Sequence, residues 1–139
     1  MADTERHLVT FRVGGQLYGV DIMQVHRVLL AEDVQDVPGA PPHIVGMIDL
    51  HGKLLAVVSL ADLLGHDAAG GAVRLLVVRR ADDLVALAVV EVEGRVRVDS
   101  TQMLARPEGI MAAALVGAFR RGEEMGLTLD PDLLQFELA

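Results

Sequence analysis

Cysteine and tryptophan are absent from this chain of 139 residues. Without a thiol there is no disulfide framework, no thiolate nucleophile and no cysteine-ligated metal. Aromatic side chains are scarce: Phe11, Tyr18, Phe119 and Phe136 are all there are. Rings so thinly spread make no base-stacking platform, and the core must be aliphatic. Positive charge is in deficit, with 12 Lys and Arg against 20 Asp and Glu, a net charge of −8 and an isoelectric point near 4.9. Nucleic-acid binding rests on neutralising phosphates with Lys and Arg, so this balance argues against it. Long apolar runs are missing too. The longest, Leu84 to Val90, falls far short of the ~18 residues that a membrane span requires, so no direct membrane insertion is expected. The opening Met-Ala-Asp-Thr-Glu-Arg has no basic segment leading into an apolar one. That gives no sign of a secretory signal and points to the cytoplasm.

Catalytic patterns are lacking as well. The chain holds no GxSxG, P-loop, GxGxxG, HExxH or EF-hand arrangement. Gly14-Gly15 leads into a strand pattern and not a helix, so it is a poor phosphate cradle. His26, His43, His51 and His66 fall in one stretch, and Asp49 sits close before His51. Imidazole with carboxylate can hold a divalent metal, but this spacing fits no ligand motif, and the histidines read as surface or loop residues. The acids Asp82-Asp83, Glu91/Glu93 and Glu123-Glu124 fall at turns or strand ends, where solvated carboxylates are the ordinary outcome. The expectation is a chain with no catalytic residues, no cofactor and no metal. A small-ligand or metal-binding β-barrel using the histidines is the competing reading from a different class.

What the chain does have is apolar content, 52% of residues with a mean hydropathy of +0.40. In a chain without a membrane segment, this favours a protein that hides surface against partners. One stretch organises the rest: Ile44 to Gly65, IVGMIDLHGKLLAVVSLADLLG. Two β-prone runs flank His51-Gly52-Lys53, and Gly52 tolerates the positive φ of a tight reversal. Both runs are more continuously apolar than a half-exposed strand, which predicts a hairpin covered on both faces. Leu60 to Leu64 follows as a helical turn, with Gly65 as its C-cap.

Before this stretch, residues 7 to 13 read as a strand, Gly14-Gly15 as a turn and Gln16 to Val20 as the return. Asp21 caps a short turn, and Val25 to Leu30 extends again. Residues 31 to 43, with Pro38, Pro41 and Pro42, are a loop. A glycine-rich connector spans 65–73. After it, strands are predicted at 73–78, 84–92, 95–98, 114–119 and 125–129, with turns at Asp82-Asp83, Glu93-Gly94 and Arg120 to Glu124. Asp130 and Pro131 open a predicted C-terminal helix carrying Leu133, Leu134 and Phe136. Short strands with turns about every ten residues indicate an all-β barrel or sandwich, and no internal repeat of fixed period is visible.

These motifs, in this order, resemble the CheW-like family of chemotaxis coupling proteins. Tyr18-Gly19-Val20-Asp21-Ile22 followed by Val25 is similar to the family's YG(I/V)D(I/V)xxV. Pro38 to Pro42 supplies its proline loop. Ile44-Val-Gly46-Met-Ile48-Asp-Leu50-His-Gly52, with Leu60, Leu63 and Gly65, resembles its IxGxINLRGxxxPVxDLxxxLG. Val85 to Val92 resembles its VGIVVDEV strand, and Leu115 to Leu134 its closing segment. The resemblance implies two small five-stranded SH3-like barrels sharing an aliphatic core in a single domain, 1–139, divided in sequence near 65–73. It implies no catalysis but an adaptor between the cytoplasmic tip of a chemoreceptor and the regulatory domain of a histidine kinase. A divergent module of a pilus-motility or other kinase pathway is the alternative. Gly19, Gly46, Gly52 and Gly117 are expected to serve turns and packing.

The polar positions depart from the pattern. Asp49-Leu50-His51-Gly52 stands for Asn-Leu-Arg-Gly, Arg27 for a Glu, Ala56 and Ser59 for a Pro and an Asp, and Ala86 and Val90 for a Gly and an Asp. Arg27, Asp49 and His51 are therefore the expected partner-binding residues, with Asp49 or a partner's carboxylate facing Arg27.

Overall fold

A computed structural model describes residues 5–66, 74–110 and 112–136. The first hairpin is β1 (Arg6–Val13) and β2 (Gln16–Asp21), turning on Gly14 and Gly15 at φ 57° and 80°. The Asp21 side chain accepts from Met23 N–H and caps a 3-10 turn, Ile22–Gln24, which leads into β3 (Val25–Leu30). After the proline loop come β4 (Ile44–Leu50) and β5 (Lys53–Ser59). Ser59 caps α1 (Leu60–Leu64), and Gly65 ends it in the left-handed region at φ 79°. Beyond residues 67–73, which lie outside the described residues, come β6 (Arg74–Arg80), β7 (Asp83–Val89), β8 (Glu91–Val98), a two-residue β9 (Met103–Leu104), β10 (Leu115–Arg121) and β11 (Glu124–Leu129).

The strands form two mixed sheets, ordered β8-β1-β2-β11-β10-β9 and β3-β6-β7-β5-β4. The two orders share one design. A hairpin (β10/β11 or β4/β5) lies parallel to one strand of a second hairpin (β2 of β1/β2, or β7 of β6/β7). An outer strand, β8 or β3, then pairs antiparallel to the far side. Each sheet surrounds an apolar centre of its own: Leu8, Leu17, Val98 and Phe119 in one, and Ile48, Leu55, Val57, Leu75, Val77, Ala86 and Ala88 in the other. A third, larger cluster binds sheet to sheet, with Phe11, Tyr18 and Val20 meeting Val58, Leu76, Val78, Val85 and Leu87. Strands β6 and β7 are buried on both faces because alternate residues feed different clusters. This is why they read as unbroken apolar runs.

Four sequence expectations are corrected. First, the two units do not divide at 65–73. The six-stranded sheet takes β1, β2 and β8 to β11, and the five-stranded sheet takes β3 to β7, so both draw on either side of that connector. Second, the run 84–92 is not one strand. It breaks at Val90, where the chain passes from one sheet to the other, and Val90 N–H bonds the Arg12 carbonyl at 3.1 Å. Third, Glu93-Gly94 is not a turn. The β1–β8 register shifts between Thr10 and Phe11 opposite Gly94, whose φ is 119° and whose carbonyl accepts from the Thr10 hydroxyl at 3.0 Å. A glycine within a strand pattern marks a bulge here. Fourth, among the described residues there is no C-terminal helix. Asp130 and Pro131 start only a 3-10 turn, Pro131–Leu133, and Leu134 is already extended. Tertiary contacts pull the chain straight: Leu134 is buried, its carbonyl accepts from Arg80 Nε at 3.0 Å, and the Arg80 guanidinium lies 4.4 Å from the Phe136 ring centre. So short a helix has too little hydrogen bonding of its own to compete.

Candidate functional site

The two edge strands of the five-stranded sheet are β3 and β4. They run on either side of a groove of about 580 Å³, floored by Ile48 and Leu75 and edged by Val28, Leu30 and Leu50. Val28 and Leu30 are exposed. At one point the β4 edge is covered: Gln35 and Met47 exchange backbone hydrogen bonds of 2.8 and 2.9 Å. Gly46 permits this approach, because a Cβ there would run into the Gln35 carbonyl oxygen and lie 2.8 Å from Val34 Cγ1.

The β4–β5 hairpin reverses on His51 and Gly52, at φ 54° and 87°. Two successive positive values are the geometry of a two-residue hairpin whose twist matches its strands. Asp49 Oδ1 accepts from Gly52 N–H at 2.7 Å, so this carboxylate works inside its own turn. Arg27 pairs in register with Val77, a member of the sheet's interior cluster, which places its side chain toward the mouth of that interior. There Arg27 Nη1 lies 3.0 Å from His51 Nε2. The structure thus joins Arg27, on the edge strand β3, to His51, in the turn after the opposite edge strand β4, while Asp49 turns to Gly52. Beside them Lys53 and Asp83 form an exposed pair at 2.9 Å, which with the Leu84 N–H bond holds the Asp83 carboxyl below the usual range.

The other two glycines assigned to packing lie elsewhere. A Cβ on Gly19 would stand 2.9 Å from Phe119 Cε1, and one on Gly117 3.0 Å from Thr128 Oγ1. The histidines disperse. His26 is exposed on β3, His43 stacks edgewise on Phe136, and His66 Nε2 is 2.5 Å from the Tyr18 hydroxyl. Burial pushes the Tyr18 hydroxyl up to about 12. Among the described residues, no group of three or more His, Asp or Glu side chains is placed to hold a metal.

Sequence reasoning missed one charged cluster. Arg12 Nε bonds Glu93 at 2.5 Å and its two terminal nitrogens bond Glu124 at 2.7 Å each, while Arg121 Nη2 reaches Glu93 at 2.8 Å and Glu124 at 3.2 Å. These residues sit on four strands; only Arg121 and Glu124, which face each other in the β10–β11 hairpin, are joined by local spacing, and nothing local brings Arg12 or Glu93 to them. Their role is to lace β1, β8, β10 and β11 together at one side of the six-stranded sheet.

A family model for the CheW-like domain matches residues 7–137. The chain belongs to the CheW-like family. Among its CheW relatives, chemotaxis protein CheW of Treponema pallidum (strain Nichols) is 36% identical over 58 residues, 42% of this chain and 34% of that one. Chemotaxis protein CheW of Rhizobium meliloti (strain 1021) is 36% identical over 73 residues, 52% of this chain and 47% of that one. The matched stretches thus span a third to a half of those relatives' own lengths. In structure, this chain is similar to the scaffolding protein TtCheW of Thermoanaerobacter tengcongensis. The TM-score is 0.84 at 25% identity, covering 91% of this chain and 90% of that one. Among the described residues, no helix is long and apolar enough to cross a membrane.

Proposed function

We propose that this chain is a non-catalytic adaptor of the cytoplasm that couples chemoreceptors to a histidine kinase, working as a single domain, 1–139. The observation that carries the reading is the CheW-like match over 7–137 together with structural likeness to a scaffolding protein along nine-tenths of the chain. An adaptor needs surfaces that remain open once the fold is complete, and the mouth carrying Arg27, Asp49 and His51 is such a surface. In this reading it contacts the receptor's cytoplasmic tip or the kinase's regulatory domain. Exposed charge there contributes little to stability, on the order of 0–1 kcal/mol per pair, but it decides which partner docks and how fast. The Arg27 and His51 departures favour a second version of the same function, in which the partners belong to a pilus-motility or other kinase pathway.

The test is co-purification and co-sedimentation of the full chain with the receptor cytoplasmic fragments and kinase regulatory domains of its own organism. Ternary assembly with one receptor–kinase set is expected, weakened by the Arg27→Glu, His51→Arg double change. Failure to associate with any of these sets would overturn the adaptor reading. Affinity within about twofold of wild type in the double variant would remove Arg27 and His51 from the interface.

A further inference from the structure

Arg27 lies on the edge strand β3 and His51 in the turn that follows the opposite edge strand, β4, and a side-chain hydrogen bond of 3.0 Å joins them across the mouth. A guanidinium offers N–H donors only and keeps its proton in proteins. The contact is a hydrogen bond only while His51 Nε2 has no proton. As a hydrogen bond the contact requires a neutral ring protonated on Nδ1. An imidazolium would meet Arg27 donor to donor and cation to cation.

The surrounding charges do not remove that conflict. On its own hairpin, His51 is flanked by Asp49, whose Oδ1 takes the Gly52 N–H, and by Lys53, which is paired with Asp83 of β7. On β3, His26 precedes Arg27. On β6, Arg79 is two residues beyond Val77, the register partner of Arg27, and adds positive charge on the same side. Glu32 and Asp33 line the groove at its other end, past Leu30.

We propose that Arg27 and His51 form a proton-operated latch. Neutral His51 accepts from Arg27 and ties β3 to the β4–β5 hairpin at one end of the groove, while the Gln35–Met47 bridge holds the β4 edge elsewhere. Protonation of His51 releases Arg27 and frees that end. The released guanidinium and the charged imidazole then offer two sets of donors to a carboxylate, so an acidic partner surface gains affinity as pH falls and a basic one loses it. This last consequence rests on the partner-facing reading of the mouth; the latch itself does not.

Nitrogen-15 NMR of the full chain tests the latch without a partner. At about pH 8 the His51 ring is expected as the Nδ1–H tautomer. On lowering the pH from about 8 to about 5.5, the Arg27 side-chain and Gly52 amide signals are expected to move together with the His51 ring signals. In His51→Gln, which keeps an acceptor but does not titrate there, both signals are expected to stay put. An Nε2–H tautomer at the higher pH, or the same movement in His51→Gln, overturns the latch. Pull-down of an acidic or a basic kinase regulatory domain at the two pH values then reads the partner consequence separately. A lack of binding at both sinks the adaptor reading and leaves the NMR result standing.

Discussion

Gly46 and Gly52 both interrupt the central hairpin, for unrelated reasons. At Gly52 the backbone itself demands glycine, with φ at 87° beside His51 at 54°. That need is local, and the apolar runs on either side of His51-Gly52-Lys53 announce it. At Gly46 the backbone is ordinary and the demand comes from Gln35, whose carbonyl occupies the place a Cβ would take. A glycine inside a strand pattern signals a close backbone approach, but nothing near Gly46 in sequence names Gln35, which arrives from the proline loop. Backbone cannot step aside as a flexible side chain can. Gly46→Ala is therefore expected to cost about 1–3 kcal/mol and to loosen the Gln35–Met47 bridge, read as a lower urea midpoint and faster amide exchange at Met47. An unchanged midpoint would remove close approach as the reason for glycine there. The Arg27–His51 bond is likewise invisible locally, since the two residues meet only when β3 and β4 become the edges of one sheet.

Among the elements, β8 is the one most exposed to error. It is an outer strand of alternating charge, EVEGRVRV, with a bulge at Gly94, and little of it is buried. The Arg12 cluster compensates by tying Glu93 of β8 to β10 and β11. Hydrogen bonds from Arg12, with Arg121 assisting, hold the Glu93 and Glu124 carboxyls below the usual glutamate range. A carboxyl whose pKa is depressed by folding stabilises the fold fully above its unfolded value, about 4.3. That stabilisation is lost as pH falls through the lower folded value. Wild type is therefore expected to lose more of its urea resistance between about pH 6 and about pH 3 than Arg12→Met, which has no such pairing to lose. Parallel losses in the two proteins would show that the cluster contributes nothing measurable. The C-terminal segment teaches the opposite lesson. Its cap and proline were legible, yet burial of Leu134 and the Arg80–Phe136 contact decide its conformation.

On the scale of the whole molecule, the chain enters the six-stranded sheet, leaves to build the five-stranded one, and returns at Val90. Each unit is thus closed by segments distant in sequence, and the two share the cluster around Phe11, Val58, Leu76 and Leu87. Such units have no independent core boundary. Leu87→Ala, at a fully buried position in this cluster, is expected to cost about 2–5 kcal/mol while leaving one cooperative transition, with circular dichroism and Tyr18 fluorescence reporting the same midpoint. Two separated transitions would mean that the sheets unfold as separate units.

The all-β character, most of the strands, the hairpin turns at Gly14-Gly15 and Gly52, the α1 caps and the lack of an enzyme-like motif follow from the sequence. Each depends on side-chain alternation, φ preference or capping within a few residues. Tertiary structure alone decided which strands became neighbours, that Val90 is a crossing point and Gly94 a bulge, and that the chain is extended at Leu134 and not helical. It also produced the matching strand arrangement of the two sheets, which no periodic sequence accompanies, because the pattern is kept by which faces are buried and not by particular residues. Arg27 meeting His51, and Arg12 meeting Glu93 and Glu124, belong to the same category: these are contacts between residues far apart in the chain, and their geometry exists only once both sheets have closed.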